Sequence, residues 1–430
     1  MPLLNIKDMG KPNFLAVTCI TSMLCLPRSY AAIKLSFLLL YVFQQCIKIL
    51  LGKKIYINGN ILFFYLCVMM LGAVWSLIGL VHGNPTAAIY DHLRLYIGWG
   101  LAYLIFLSLL RMDGVINIHY SVVVSAIIIF GMNLFALLDH AGGFGMISDE
   151  IKKELDMYVG IHGGYIQITT HNIGSLFFIL PYLTMLYLNK NKFEATKLNN
   201  EKIALMLSLI VAVISGRRAL WISIILLPFF FIFIQNMMNS SGSEFVFKRT
   251  SQYKKMVWIF VIIILSVIAA VLLLSKGGET VSHLIAAFSA EDERTIQMGY
   301  LLRSWSDNPF WGTGFGGYAG YTRNEVAPWL YELTYHQILL NFGLLGCGLI
   351  TIIFISFCKK AINKMNKMSI EGILKQSIFG GLIVFLIAAY SNPYLGSFDF
   401  LFVLGMLPFL GAHPISDIRI SNEMKSSMAK

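Results

Sequence analysis

The chain has 430 residues, 57% of them hydrophobic and 13% charged, with a formal net charge of +11. Its apolar residues run in blocks of about twenty rather than at amphipathic spacing, which excludes an ordinary water-soluble domain and marks a polytopic helical membrane protein. The basic excess lies in loops between those blocks, the distribution expected beside anionic lipid, and does not argue for nucleic acid.

In chain order the blocks predict an all-α protein of about twelve transmembrane helices, near 13–27, 35–51, 61–82, 94–110, 117–138, 168–188, 203–216, 219–236, 257–275, 337–358, 373–390 and 398–412. They read as a single integral membrane domain over 1–430, with no internal repeat and no cleavable signal peptide before the first span. The cysteines (Cys19, Cys25, Cys46, Cys67, Cys347, Cys358) all fall within apolar blocks and read as packing residues, not as a metal or disulfide site.

The count of crossings turns on the stretch "VAVISGRRALWISIILLPFFF" at 211–231. Residues 203–235 are short for two spans and long for one, so everything downstream depends on whether the chain reverses at Arg217 and Arg218. A hairpin there places 21 Lys and Arg residues on one side of the membrane and ten on the other, whereas a single span gives 13 against 16. The positive-inside rule therefore selects the hairpin. Both termini are then cytoplasmic, and residues 276–335, between the ninth and tenth spans, form a large outer loop.

The apolar run 203–214 rises only about 18 Å as a helix, less than a hydrocarbon core of about 30 Å. Arginines at such a tip are expected to sit recessed and to face a polar cavity. Guanidinium offers planar, bidentate donors to phosphate at any relevant pH. Snorkelling of the pair to lipid headgroups is the alternative.

Within the outer loop, "FSAEDERTIQMGYLLRSWSDNPFWGTGFGGY" at 288–318 predicts a helix starting near Ser289 and Asp292. Arg294 and Arg303 are nine residues apart and fall on opposite faces, so at most one points into a given site. Arg294 shares its face with Gln297, Met298, Leu301 and Trp305. The glycines and aromatics at 311–321 suit close backbone approach or sugar stacking, with a self-packed loop as the alternative. Further on, "APWLYELTYHQILLNFGLLG" places Glu332 and His336 four apart, as does Tyr331 with Tyr335, on what should be one helical face. A carboxylate and an imidazole there could supply a general base and its orienter, or only an ion pair capping the span. His171 and Asn172 at the start of the sixth span, and Arg94 in "YDHLRLYIGWG", are polar where lipid is expected. They line the same cavity or form satisfied core contacts. No histidine spacing resembles a zinc site.

Taken together, "THNIGSLFFILP", "SGRRALW", "RTIQMGYLLRSWSDNPFWGTGFG" and "YELTYHQILLNFGLLG" resemble the O-antigen ligase and polymerase superfamily over about residues 165 to 355. The "YELTY" form is closer to the Wzy-type polymerases than to the ligases, whose motif places a histidine near the slot held here by Glu332. The resemblance implies a GT-C-like glycosyltransferase of the bacterial inner membrane whose active site faces the periplasm. It implies an undecaprenyl-diphosphate-linked oligosaccharide as substrate, membrane lipid as surroundings, a chain-length regulator as candidate partner, and neither metal nor cofactor. In that scheme Arg217, Arg218 and Arg294 clamp the diphosphate, with Arg303 and Arg94 as further candidates. Glu332, helped by His336, orients or deprotonates the acceptor hydroxyl. A ligase using lipid A core, or a lipid-linked oligosaccharide flippase, are the alternatives.

Overall fold

A computed structural model describes residues 11–53, 58–162, 165–189, 198–217, 219–223, 226, 293–323, 325–365 and 369–411. Its helices are α1 (Phe14–Cys25), α2 (Ala31–Leu50), α3 (Gly59–Val81), α4 (Thr86–Leu93), α5 (Gly100–Asp113), α6 (Ile116–Gly142), α7 (Asp149–Glu154), α8 (Ile173–Leu188) and α9 (Asn199–Ile214). After the undescribed stretch come α10 (Glu293–Asp307), α11 (Thr334–Lys364), α12 (Ile370–Ala388) and α13 (Phe398–Leu410). A π-helical turn, Arg94–Trp99, joins α4 to α5 as one rod. Six of these units are long and apolar enough to cross a membrane, and α1, α8 and α13 are shorter apolar helices. The chain is thus a multi-pass helical membrane protein. Most of the span predicted at 219–236, all of that at 257–275, and Arg218 lie outside the described residues.

Two features depart from the all-α expectation. Residues 158–169, read as loop running into the sixth span, form an antiparallel hairpin of β1 (Tyr158–His162) and β2 (Tyr165–Thr169), in register from Tyr158↔Thr169 to His162↔Tyr165. The sixth span accordingly starts at Ile173. The tenth starts at Thr334, so Glu332 precedes the helix and does not share a helical face with His336.

α8 and α12 form the inner pair. Nearly every residue from Ile173 to Leu183 is buried, and α12 is the most buried of the long apolar helices. A helix apolar on all sides is stable only when surrounded. Small residues let the two approach: a Cβ on Gly381 would lie 2.8 Å from the Phe178 carbonyl oxygen. By contrast α2, α3 and α11 leave wide apolar faces open, among them Leu39, Leu40, Phe43, Phe63 and Ile352, as lipid-facing helices do.

α11 is interrupted. Gly343 has φ 58° and ψ −171°, and the segment 309–314 enters the gap. Leu344 and Leu345 donate backbone N–H groups to the Pro309 and Phe310 carbonyls at 2.9 and 3.0 Å, while Thr313 and Gly314 donate to Leu340 and Asn341 at 2.9 and 3.0 Å. Broken backbone at membrane depth is tolerated when protein satisfies it in this way. Phe315 then plugs between helices, stacked on His92 at 4.3 Å and edge-on to Phe342 at 5.3 Å. The glycine-rich stretch is therefore a wedge between α3 and α11, the self-packed alternative, although Trp311 and Tyr318 keep exposed faces.

The two ends of the bundle differ in chemistry. At the end assigned by charge to the cytoplasm, Asp113 gathers Asn13, Tyr41 and Gln45 at 2.9, 3.0 and 2.6 Å, with Lys48 and Lys53 beside it. The opposite end collects the turns at 26–30, 143–172, 215–217, 308–333 and 389–397, and with them most of the site residues.

Candidate functional site

α9 stops at Ile214, Gly216 takes a positive φ of 63°, and helix resumes at 219–223. The Trp221 indole N–H donates to the Ala212 carbonyl at 2.9 Å. In a continuous helix those residues would stand about 13 Å apart along the axis, so the chain bends sharply near Arg217.

Arg217 points inward. Its Nη1 donates to the Tyr394 hydroxyl at 3.1 Å, and its Nε is buried without a hydrogen-bond partner among the described residues. Tyr394 is held by the turn that follows α12, where Pro393 cannot continue a helix. It packs on Phe385, Phe400 and Phe177. Burial pushes its phenol pKa up, against the opposing charges of Arg217, Arg28 and Arg294. Arg217 is the guanidinium in contact with this phenol.

Arg28 was not among the candidates. It sits in the short turn between α1 and α2 with φ 66°, its backbone N–H donating to Asp399 Oδ2 at 2.6 Å and its Nη2 to the Pro393 carbonyl. Desolvation lowers its pKa and Arg217 adds to that, against the pull of Tyr394, Asp156 and Asp399. Beneath it Lys34 and Asp399 form a buried ion pair at 2.6 Å that ties α2 to α13 and fixes the turn. The sequence signal was a Pro-Arg-Ser turn between two apolar blocks, too common to single out.

The second group of charges centres on Glu332. Arg294 Nε donates to its Oε2 at 2.9 Å and Arg323 pairs with its Oε1 at 2.5 Å. Arg323 is also new. Periodicity leaves the choice of face open; the packed one carries Arg294 with Gln297 and Leu301. Gln297 Oε1 accepts the backbone N–H groups of Glu332 and Leu333 at 3.0 and 3.2 Å, and Leu301 is buried against Tyr331 and Leu333. Arg303, on the other face, is exposed and joins no ion pair among the described residues. Arg94 is also exposed, paired locally with Asp91 at 3.2 Å.

The aromatic and polar candidates divide. Tyr331 is buried, its hydroxyl accepting the Ala319 N–H at 2.7 Å, so it braces the loop. Tyr335 donates to the Leu386 carbonyl at 2.5 Å and His336 packs edge-on to Tyr390 at 5.8 Å, its Nδ1 buried without a partner among the described residues. Asn172 is buried in a network with Thr170 and Asn133, at 2.6 and 3.1 Å, the satisfied core alternative. His171 instead turns to the 28–30 turn and Asp156: Nδ1 is 3.5 Å from Ser29 Oγ and Nε2 is 3.6 Å from Asp156 Oδ2. Burial and the charges of Arg28 and Arg217 lower its pKa, while Asp156 and Glu154 raise it.

Arg217 and Arg28 thus reach two neighbouring residues of one turn, Tyr394 and Pro393, an arrangement that can hold an anion. Among the described residues no three His, Cys, Asp or Glu side chains converge as metal ligands. Compared with known proteins, the chain matches no family model and no curated relative.

Proposed function

We propose that this protein is a polysaccharide polymerase that transfers an undecaprenyl-diphosphate-linked glycan chain onto the sugar of a second lipid-linked repeat unit, at the outer face of the bacterial inner membrane, without metal. The observation that carries the reading is Arg217, turned inward onto the Tyr394 hydroxyl with no carboxylate paired to it among the described residues, beside the Pro393 carbonyl that Arg28 meets. A guanidinium so placed favours an anion, and the sequence resemblance supplies the lipid diphosphate.

A lipid diphosphate is already a good leaving group, so catalysis needs mainly charge stabilisation and alignment of the incoming hydroxyl. Arg217 and Arg28 meet the departing oxygens, and Tyr394 fixes the Arg217 fork. Ile214 and Ser215, next to this turn, also line an apolar cleft with Phe130, Leu134, Leu137 and Ile210. Such a surface suits the first isoprene units. Glu332, with both oxygens engaged by guanidiniums, sets the position of Arg294 and Arg323. Single displacement inverts the anomeric centre.

The test is purified protein in detergent given a lipid-linked repeat unit. Chain growth supports the polymerase. Dependence on lipid A core points to a ligase, and transport in vesicles without new glycosidic bonds points to a flippase, for which the buried Lys34–Asp399 pair would be the natural coupling element. Arg217→Lys keeps the charge and loses the bidentate fork, so we expect turnover to fall about 100-fold at normal expression. Wild-type turnover in that variant would return Arg217 to a headgroup-facing role.

A further inference from the structure

We propose that Tyr394 is a catalytic residue of the transfer, its phenol donating a hydrogen bond to an oxygen of the departing diphosphate beside the Arg217 guanidinium; this rests on the polymerase reading above.

The direction of one hydrogen bond selects this residue. A guanidinium nitrogen can only donate, so at the 3.1 Å contact the Tyr394 oxygen accepts from Arg217 Nη1 and its own hydrogen points elsewhere. No described residue accepts that hydrogen, although the tyrosine is only 6% exposed. Arg217 Nε is likewise buried with no acceptor among the described residues. Two donors of one hydrogen-bonded pair are thus left bare, at a cost of about 1–3 kcal/mol for each buried group. The neighbouring carboxylates are already engaged and do not complete the pair. Asp399 takes Lys34 Nζ and the Arg28 backbone N–H, both at 2.6 Å, and Glu332 has its oxygens on Arg294 and Arg323. A ligand bearing several acceptor oxygens satisfies both donors, and Arg217 is only half-buried, which leaves it a route in.

The phenol is also held still. Its ring lies among Phe177, Phe400 and Phe385, with centroids 5.6, 5.4 and 5.8 Å away. Gly174, at the start of α8, makes room for its edge: a Cβ there would fall 2.9 Å from Tyr394 Cε1 and 3.3 Å from Cζ. The Tyr394 backbone N–H donates to the Asn392 carbonyl at 2.8 Å, and the Ser397 N–H to the Tyr394 carbonyl at 3.1 Å. A donor fixed before charge develops stabilises the transition state without reorganising. In the step, the acceptor sugar's oxygen forms the new bond to the anomeric carbon and its proton passes to solvent water. The anomeric carbon–oxygen bond to phosphate breaks, and its electrons leave on the diphosphate oxygen. Tyr394 keeps its hydrogen throughout; the bond it donates shortens as that oxygen gains charge.

The experiment uses full-length protein in detergent, with inorganic pyrophosphate binding, chain growth and melting temperature as readouts. Tyr394→Phe keeps the ring and its packing, so we expect a melting temperature close to wild type, pyrophosphate binding about tenfold weaker and kcat lower by about 100-fold. Replacing Tyr394 by 3-fluorotyrosine separates donation to the substrate from mere support of Arg217. A more acidic phenol donates more strongly and accepts more weakly, so turnover at a pH where it stays protonated should equal or exceed wild type. If Tyr394→Phe extends chains like wild type while Arg217→Lys does not, or if the fluorinated phenol slows turnover as Phe does, Tyr394 only braces the arginine and the diphosphate site stands without it. Failure of the wild-type protein both to bind pyrophosphate and to extend chains would remove the polymerase reading itself, and this proposal with it.

Discussion

At the scale of single residues, what distinguishes Arg217 from Arg94, Arg294 and Arg323 is the partner it has. Arg94, Arg294 and Arg323 each meet a carboxylate, whereas Arg217 meets a phenol. A guanidinium answered only by a neutral hydroxyl retains its field for a ligand; one answered by Asp or Glu spends much of it internally. Glu332 illustrates the second case. Replacing it by Gln keeps the shape but removes the charge that holds two arginines, so we expect Glu332→Gln to raise the donor KM about tenfold through loss of a charge-assisted pair. Initial rates across donor concentrations check this, and a change confined to kcat would return Glu332 to a proton-transfer role.

At the scale of elements, the long apolar helices were legible because their blocks are uninterrupted and close in length to a bilayer crossing. Other features needed contacts that no local pattern contains. The start of α11 fell later than "YELTYH" implied because the Gln297 side chain, 35 residues upstream, takes the backbone N–H of Glu332. Arg28 and Arg217 reach the neighbouring residues Pro393 and Tyr394 only because the ends of α1 and α9 come to the turn after α12. The β1–β2 hairpin is a different kind of miss, since the sequence carries Gly-Gly between two strand-like runs, a recognised hairpin signal. It was outweighed by the neighbouring membrane helices. Packing of α8 on α12 gives a direct test. Gly381→Leu forces a side chain into the Phe178 backbone, and we expect a loss of about 2 kcal/mol or more in folding stability. Detergent melting temperatures measure it; Gly348→Leu, where a Cβ meets nothing within 4 Å, serves as the control.

For the molecule as a whole, the division of chemistry between its two ends is the organising fact. One end is closed by a carboxylate hub at Asp113, and at the other Arg217 is answered by the phenol of Tyr394. A lipid diphosphate gripped by guanidiniums needs no divalent ion, so we expect chain growth to proceed unchanged in excess EDTA. Reversible inhibition restored by Mg²⁺ or Mn²⁺ would rule out the arginine-only scheme.

The break in α11 also bears on how the protein is made. Residues 309–314 leave the ribosome before the helix whose gap they fill, and domains assemble broadly in the order of synthesis. The carbonyls of Trp311 and Thr313 find donors on the already translated Trp75 and Asn84, but the bonds of Pro309, Phe310 and Gly314 form only when Leu340–Leu345 arrives. Until then the segment is anchored on one side alone. Completion of the cleft is therefore timed by insertion of the tenth predicted span, and a ribosome stalled before it would leave the arginines already translated without their scaffold.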